Sequence, residues 1–187
     1  TGITAIQESQ KRLYNEDFAN AVDLLAFESN QNAVRAALLT MAALTKRSDQ
    51  ELGHQDLKGR AKANDALLQR LLERSRQDPQ FLRKLEELQT VRGAFMQTRD
   101  TQVVPLIYEG KIEEAKKLTL GIQAERFQKM RSIGEELGNE AVKRAQRRIM
   151  ESERKAQEII RLFLVIGAVA LLLGVGMAAF LNRIIAA

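Results

Sequence analysis

Arg92 and Arg99 have the residue type and spacing most suited to binding chemistry. They lie two helical turns apart on a stripe of residues in steps of three or four (Leu85, Leu88, Arg92, Phe95, Arg99, Val103, Leu106), which predicts an inward-facing helix surface. A buried guanidinium needs a partner, because an unpaired desolvated charge is costly. The alternative is that both side chains reach the surface or pair with acids; the candidate acids are Glu28, Asp100 and Glu125.

Polar residues also interrupt the apolar face of the first predicted helix and recur near the start of the fourth. Arginine binds carboxylates through two parallel hydrogen bonds, and these faces carry few acids. We therefore expect an anion pocket for a small carboxylate, such as an amino acid or a di- or tricarboxylic acid. The candidate ligand-binding residues are Ser29, Asn32, Arg35, Arg92, Arg99, Tyr108, Thr119, Gln123 and Arg126.

Catalysis is not indicated by the residues present. The chain has one histidine and no cysteine, and it has no glycine-rich phosphate loop and no nucleophile beside a base. We expect no enzymatic activity, no catalytic residue and no cofactor. His54 stands among acids (Asp49, Glu51, Asp56), but a single histidine with flexible carboxylates is a weak metal signature, so a solvated loop is preferred over a metal site.

Composition restricts the class of protein further. The formal net charge of +5 is spread along the chain among acids, which is typical of solvated helix faces and not of a nucleic-acid-binding surface. The absence of cysteine excludes disulfides and cysteine zinc sites but fits either cytoplasm or periplasm.

Residues 162–181, LFLVIGAVALLLGVGMAAFL, form a run of 20 residues without a charged side chain. As a helix this run is about 30 Å long, the thickness of the bilayer hydrocarbon core. The alternative is a fully buried core helix, but the remaining chain has too little apolar surface to surround one. We predict a transmembrane helix at 161–182, with small residues (Ala170, Gly174, Ala178) that permit close helix contact.

The rest of the chain predicts four helices, at about 3–47, 49–76, 79–109 and 111–160. Ser48 with Glu51 forms a capping-box pattern for the second, and Asp78 before Pro79 marks the start of the third. Pro105 should bend the third helix, and Gly110 should end it. No proline follows, so the fourth helix should run unbroken through Gly121 into the membrane segment. Phe18, Phe81, Phe95 and Phe127 are expected in the core.

Long outer helices with short connections predict an all-α fold, an up-down-up-down four-helix bundle whose fourth helix continues into the transmembrane helix. In this arrangement the chain begins and ends at the membrane. The absence of an initial methionine and the short tail after the apolar run suggest a piece of a longer protein with a further membrane segment upstream.

The arrangement resembles the four-helix-bundle sensor module of bacterial methyl-accepting chemotaxis proteins. The resemblance rests on the opening GITAIQESQKRLYNEDF, on ESNQNAVRAALLTMA, and on VVPLIYEGKIEEAKKL at the turn between the third and fourth predicted helices. It implies a homodimeric periplasmic sensor domain at 1–160 in the bacterial inner membrane. It also implies that residues 183–187 begin a cytoplasmic linker, usually a HAMP domain, that leads to a coiled coil controlling a kinase complex.

Other outputs remain open on the same pattern. The module also occurs on histidine kinases and diguanylate cyclases, and its distal tip could dock a periplasmic binding protein. A tail-anchored helical scaffold is the alternative of a different class. Basic residues concentrate before the apolar run, which by itself favours the opposite orientation, but large domains translocate largely regardless of charge.

Overall fold

The computed structural model describes residues 4, 7, 8, 11 and 13–185, with side chains up to residue 174. These residues are helical apart from short connections, and no strand occurs among them, so the predicted all-α class is confirmed. The α-helices are α1 (Ala19–Ala43), α2 (Arg47–Arg74), α3 (Pro79–Thr98), α4 (Val104–Tyr108), α5 (Ile112–Leu120) and α6 (Ile122–Ile185). The π-helical segments are Leu13–Phe18 and Arg99–Val103.

The described chain divides into two compact units. One is Tyr14–Arg144, and the other combines Thr1–Leu13 with Ala145–Ala187. The first contains the hydrophobic core and every candidate binding residue, and the second contains the apolar run.

Helices α1 and α2 run antiparallel. Near the turn that joins them, Gln50 Nε2 donates to the Leu44 carbonyl at 2.8 Å. Farther along, Asn64 Nδ2 donates to the Phe27 carbonyl at 3.3 Å. At the far end Arg74 pairs with Asp23. These contacts keep the two helices side by side over their whole length.

The buried face of α3 confirms the predicted stripe. Leu85 and Leu88 are fully buried, Phe95 is 2% exposed, and the two arginines on the stripe are almost as inaccessible. Phe81 and Phe127 also lie in the core, as expected.

Helix α1 departs from prediction in its first half. Phe18, directly before α1, was expected in the core, yet it is 59% exposed, and Val22 and Leu25 on the same face are 47% and 67% exposed. The buried residues of α1 are instead Asn20, Leu24, Phe27, Gln31, Val34, Leu38 and Met41. The two sets are offset by two positions, about 200° around the helix axis. Because both faces are apolar, spacing alone could not tell which one is buried.

Two of the predicted helix ends are confirmed and one is wrong. The Asp78 carboxylate accepts from Phe81 N at 3.1 Å and caps α3, and Gly110 has a φ of +75° after α4. The predicted capping box fails, because α2 already begins at Arg47 and Ser48 Oγ instead donates to the Asp49 carboxylate.

The third predicted helix, 79–109, is divided by the π-helical segment Arg99–Val103. Val104 N donates to the Arg99 carbonyl, five residues earlier. Proline has no N–H to return to the carbonyl four residues before it, and the wide turn lies directly ahead of Pro105. The predicted irregularity at Pro105 therefore takes the form of a π-helical turn.

The predicted unbroken fourth helix, 111–160, is wrong at one residue. Gly121 separates α5 from α6, although Gly121 N still donates to the Lys117 carbonyl at 3.0 Å. A Cβ at this position would lie 2.8 Å from the same carbonyl oxygen, a close approach that only glycine allows. The helix that includes the apolar run is thus continuous from Ile122.

Within the described residues, one helix is long and apolar enough to span a membrane. Its most apolar window has a mean hydropathy of 2.1, and none of that window is buried. The core helix of a soluble protein would be mostly buried, so this exposure is consistent with a membrane location.

Two glycine substitutions should have opposite effects on stability. Gly110→Ala places a side chain at positive φ and should lower the free energy of unfolding by about 1 kcal/mol. Gly59→Ala lies in the interior of α2 with open space around it and should raise it by about 0.5–1 kcal/mol. Urea unfolding of the full chain in detergent, followed by circular dichroism, measures both. Equal destabilisation by the two would contradict this assignment.

Candidate functional site

Arg92 is buried and already has protein partners. Its Nη1 pairs with the Asp65 carboxylate, and its Nη2 donates to the Ala61 carbonyl at 2.8 Å. The pairing alternative is therefore the one observed, but the acid is Asp65 of α2, which the sequence did not single out. A carboxylate ligand at Arg92 would have to displace Asp65.

Arg99 is also buried and paired. Its Nε and Nη2 bind the two carboxylate oxygens of the adjacent Asp100 at 2.6 and 2.8 Å. This bidentate pair occupies the two guanidinium N–H donors of Arg99 that a ligand carboxylate would use. The predicted alternative of pairing with Asp100 describes the observed geometry.

Gln123 and Arg126, on the first turns of α6, meet α3 at its backbone. Gln123 Nε2 donates to the Phe95 carbonyl at 2.8 Å, and Arg126 Nη1 donates to the Ala94 carbonyl at 2.9 Å. Arg126 also reaches the Thr98 hydroxyl at 2.5 Å. These donors join two helices. The neighbouring Thr119 hydroxyl instead donates to the Ala115 carbonyl within its own helix.

Tyr108 lies in a separate cluster near the turns. His54 Nδ1 and the Tyr108 hydroxyl are 2.8 Å apart, and the Arg47 guanidinium lies 3.5 Å from the centre of the Tyr108 ring. Burial lowers the pKa of His54, and the Lys58 ammonium acts in the same direction. Tyr108 thus contacts α2 residues rather than closing a pocket over the arginines.

Ser29, Asn32 and Arg35 remain accessible on α1. Ser29 and Asn32 are exposed, and the Arg35 guanidinium lies 4.7 Å from the centre of the Phe127 ring. None of the described ion pairs involves Arg35. The nine predicted residues therefore do not form one pocket, and this trio is the part still available to an anion.

Comparison of the chain with protein-family models, curated proteins and solved structures gives no match. The resemblance to chemoreceptor sensor modules therefore stays a prediction.

A groove that the sequence reasoning missed lies between α1 and the first half of α6. One cavity of about 210 Å³ is lined by Phe27, Glu28, Gln31, Asn32, Phe127, Met130, Arg131 and Glu135. A neighbouring cavity of about 270 Å³ shares Glu28 and Glu135 and extends past Gly134 and Gly138. The glycines leave α6 without side chains opposite α1, which is the signal in the sequence that could have located the groove.

Glu28 is the half-buried acid of this groove. Burial raises its pKa above the ordinary value, the Glu135 carboxylate raises it further, and Arg131 opposes both. The guanidinium of Arg131 is itself bound to Glu135 at 2.7 Å. The charge on Glu28 is therefore poorly compensated.

If Arg92 is a structural residue held by Asp65, neutralising that acid should destabilise the chain. Asp65→Asn should lower the free energy of unfolding by about 1–3 kcal/mol, because a buried guanidinium loses its charged partner. The matched control is Asp56→Asn in the same helix, whose ion pair with Arg60 is exposed; its effect should stay within about 0.5 kcal/mol. Urea unfolding compares the two, and equally small effects would show that Arg92 does not depend on Asp65.

Proposed function

We propose that this chain is the extracytoplasmic ligand-sensing module of a transmembrane chemoreceptor in the bacterial inner membrane. The observation that carries the proposal is helix α6, which begins beside α3 and contains the exposed apolar run. In the proposed arrangement residues 1–160 are periplasmic, 161–182 cross the bilayer, and 183–187 lead towards a cytoplasmic signalling part.

The pairwise packing supports a bundle as the fold of the sensor. Helices α1 and α2 are antiparallel, and Gln123 and Arg126 join α6 to α3. The connections between successive helices are short, which favours antiparallel neighbours. An up-down-up-down bundle is the arrangement that these contacts favour.

The proposed ligand is a small carboxylate bound at Ser29, Asn32 and Arg35. Arg35 offers a guanidinium that no described acid occupies, and the two neighbouring side chains add hydrogen-bond donors on the same face of α1. Binding would transmit a signal only through different affinities for two states of the bundle. Because Gly121 interrupts the last helical stretch, we place the moving output helix from Ile122 onward.

A second copy of the chain is the proposed partner. Eight exposed residues, Phe18 directly before α1 and seven within it, follow alternating steps of four and three, which is the heptad pattern of a coiled-coil seam. They are Phe18, Val22, Leu25, Ser29, Asn32, Ala36, Leu39 and Ala43. We call this set the outer stripe of α1.

The same module attached to a histidine kinase or diguanylate cyclase is equally compatible with these features. A non-sensing helical scaffold, in contrast, would bind no small molecule.

Ligand binding is tested by isothermal titration of the full chain in detergent with amino acids, succinate and citrate. Arg35→Gln should weaken the best carboxylate about tenfold or more, since a charge-assisted hydrogen bond is lost. Arg60→Gln, which removes an exposed arginine of α2, is the control and should leave the affinity unchanged. Absence of heat with every carboxylate would refute the proposed ligand class.

Dimerisation is tested by cysteine crosslinking, for which the absence of native cysteine gives a clean background. Leu25→Cys and Leu39→Cys should form disulfide-linked dimers in membranes, because both positions lie on the outer stripe of α1. Thr90→Cys on the exposed face of α3 is the control and should remain monomeric. Equal crosslinking at all three positions would argue for random collision rather than a defined interface.

A further inference from the structure

The groove between α1 and α6 has the features of a second binding site next to the proposed carboxylate site. Its floor is apolar, since Phe27, Phe127 and Met130 are at most 4% exposed. Its volume of about 210 Å³ is below the range of drug-sized pockets, so it suits a small molecule. It widens into the neighbouring cavity where Gly134 and Gly138 face α1.

Acidic charge prevails inside this groove. Glu28 and Glu135 line it together with a single guanidinium, that of Arg131, which is bound to Glu135. No described side chain donates a hydrogen bond to the Glu28 carboxylate. This carboxylate lies against Gly134, where a Cβ would come within 2.9 Å of its Oε1. A cation would neutralise Glu28, whereas an anion would be repelled.

Gln31 gives an independent indication of a ligand. It lines the same cavity, is 6% exposed, and its Nε2 has no hydrogen-bond partner among the described residues. Its Oε1 already accepts from Asn64 Nδ2 at 3.3 Å. Leaving a buried donor unpaired costs free energy, and an oxygen atom on a bound molecule would remove that cost.

We propose that the groove between α1 and α6 binds a small primary ammonium compound, with the ammonium at Glu28 and an oxygen acceptor at Gln31. The ammonium donates hydrogen bonds to a carboxylate that lacks a donor, and the nearby ring of Phe27 favours a cation over water. Burial and the Glu135 carboxylate raise the pKa of Glu28, and a bound cation would act in the opposite direction by favouring the ionised carboxylate. The two proposed sites share only Asn32 in their lining. The ammonium contacts proposed here do not involve Asn32, so either proposal can fail without the other.

The test is isothermal titration of the full chain in detergent and phosphate buffer at neutral pH with three probes of equal size: 3-aminopropanol, n-butylamine and propionate. Both amines should bind, and 3-aminopropanol should bind several-fold tighter because only it offers an oxygen to Gln31. Glu28→Gln should weaken both amines about tenfold or more through loss of the charge-assisted hydrogen bond. It should leave any propionate binding unchanged.

Three further variants make the test specific. Gln31→Met keeps the size of the side chain and should remove the advantage of 3-aminopropanol over n-butylamine. Gly134→Ala should weaken both amines by displacing the Glu28 carboxylate while all charges remain. Glu125→Gln removes an exposed acid of α6 that lies outside the groove, and it should leave the affinity for both amines unchanged.

The proposal is overturned if neither amine binds, or if Glu28→Gln and Glu125→Gln give the same affinity. Circular dichroism verifies that each variant is folded, and if Glu28→Gln is not, Gly134→Ala decides: unchanged amine affinity in that variant overturns the proposal.

Discussion

The apolar character of α1 on two opposite faces is the constraint on which the rest of this structure depends. A single copy of the chain buries only one of them, the face with Leu24, Phe27 and Val34. The outer stripe of α1 is left in contact with solvent, where its apolar side chains are unfavourable unless something covers them. The same helix therefore supplies part of the core of one copy and the apolar surface that we propose a second copy covers.

The interior of Tyr14–Arg144 also shows how polar donors can be used structurally. Arg92, Gln123 and Arg126 each direct a donor to a backbone carbonyl on another helix. Such bonds satisfy buried polar groups and fix which helix faces which. Side chains committed in this way are poorly placed to bind ligand, whereas Arg35 on α1 lies over the Phe127 ring and takes part in none of the described ion pairs.

Glycine determines where the structure leaves room. At Gly121 the close approach of a carbonyl separates α5 from α6, and at Gly134 the missing side chain accommodates the Glu28 carboxylate. The resulting groove combines an under-compensated acid with an amide nitrogen that has no partner among the described residues, an arrangement that costs stability in the free protein. Binding sites commonly retain such polar groups because a ligand completes them.

The sequence by itself determined the helical class, the apolar run, the cap at Asp78, the stop at Gly110 and the buried stripe of α3, because these depend on local backbone chemistry and on one unambiguous periodicity. Only the tertiary structure decided which face of α1 is buried, that Asp65 is the partner of Arg92, and that Glu28 and Gln31 share a groove. These outcomes depend on side chains from different helices meeting in space. Helical spacing in one segment carries no information about its partners, so the candidate site was predicted only in part.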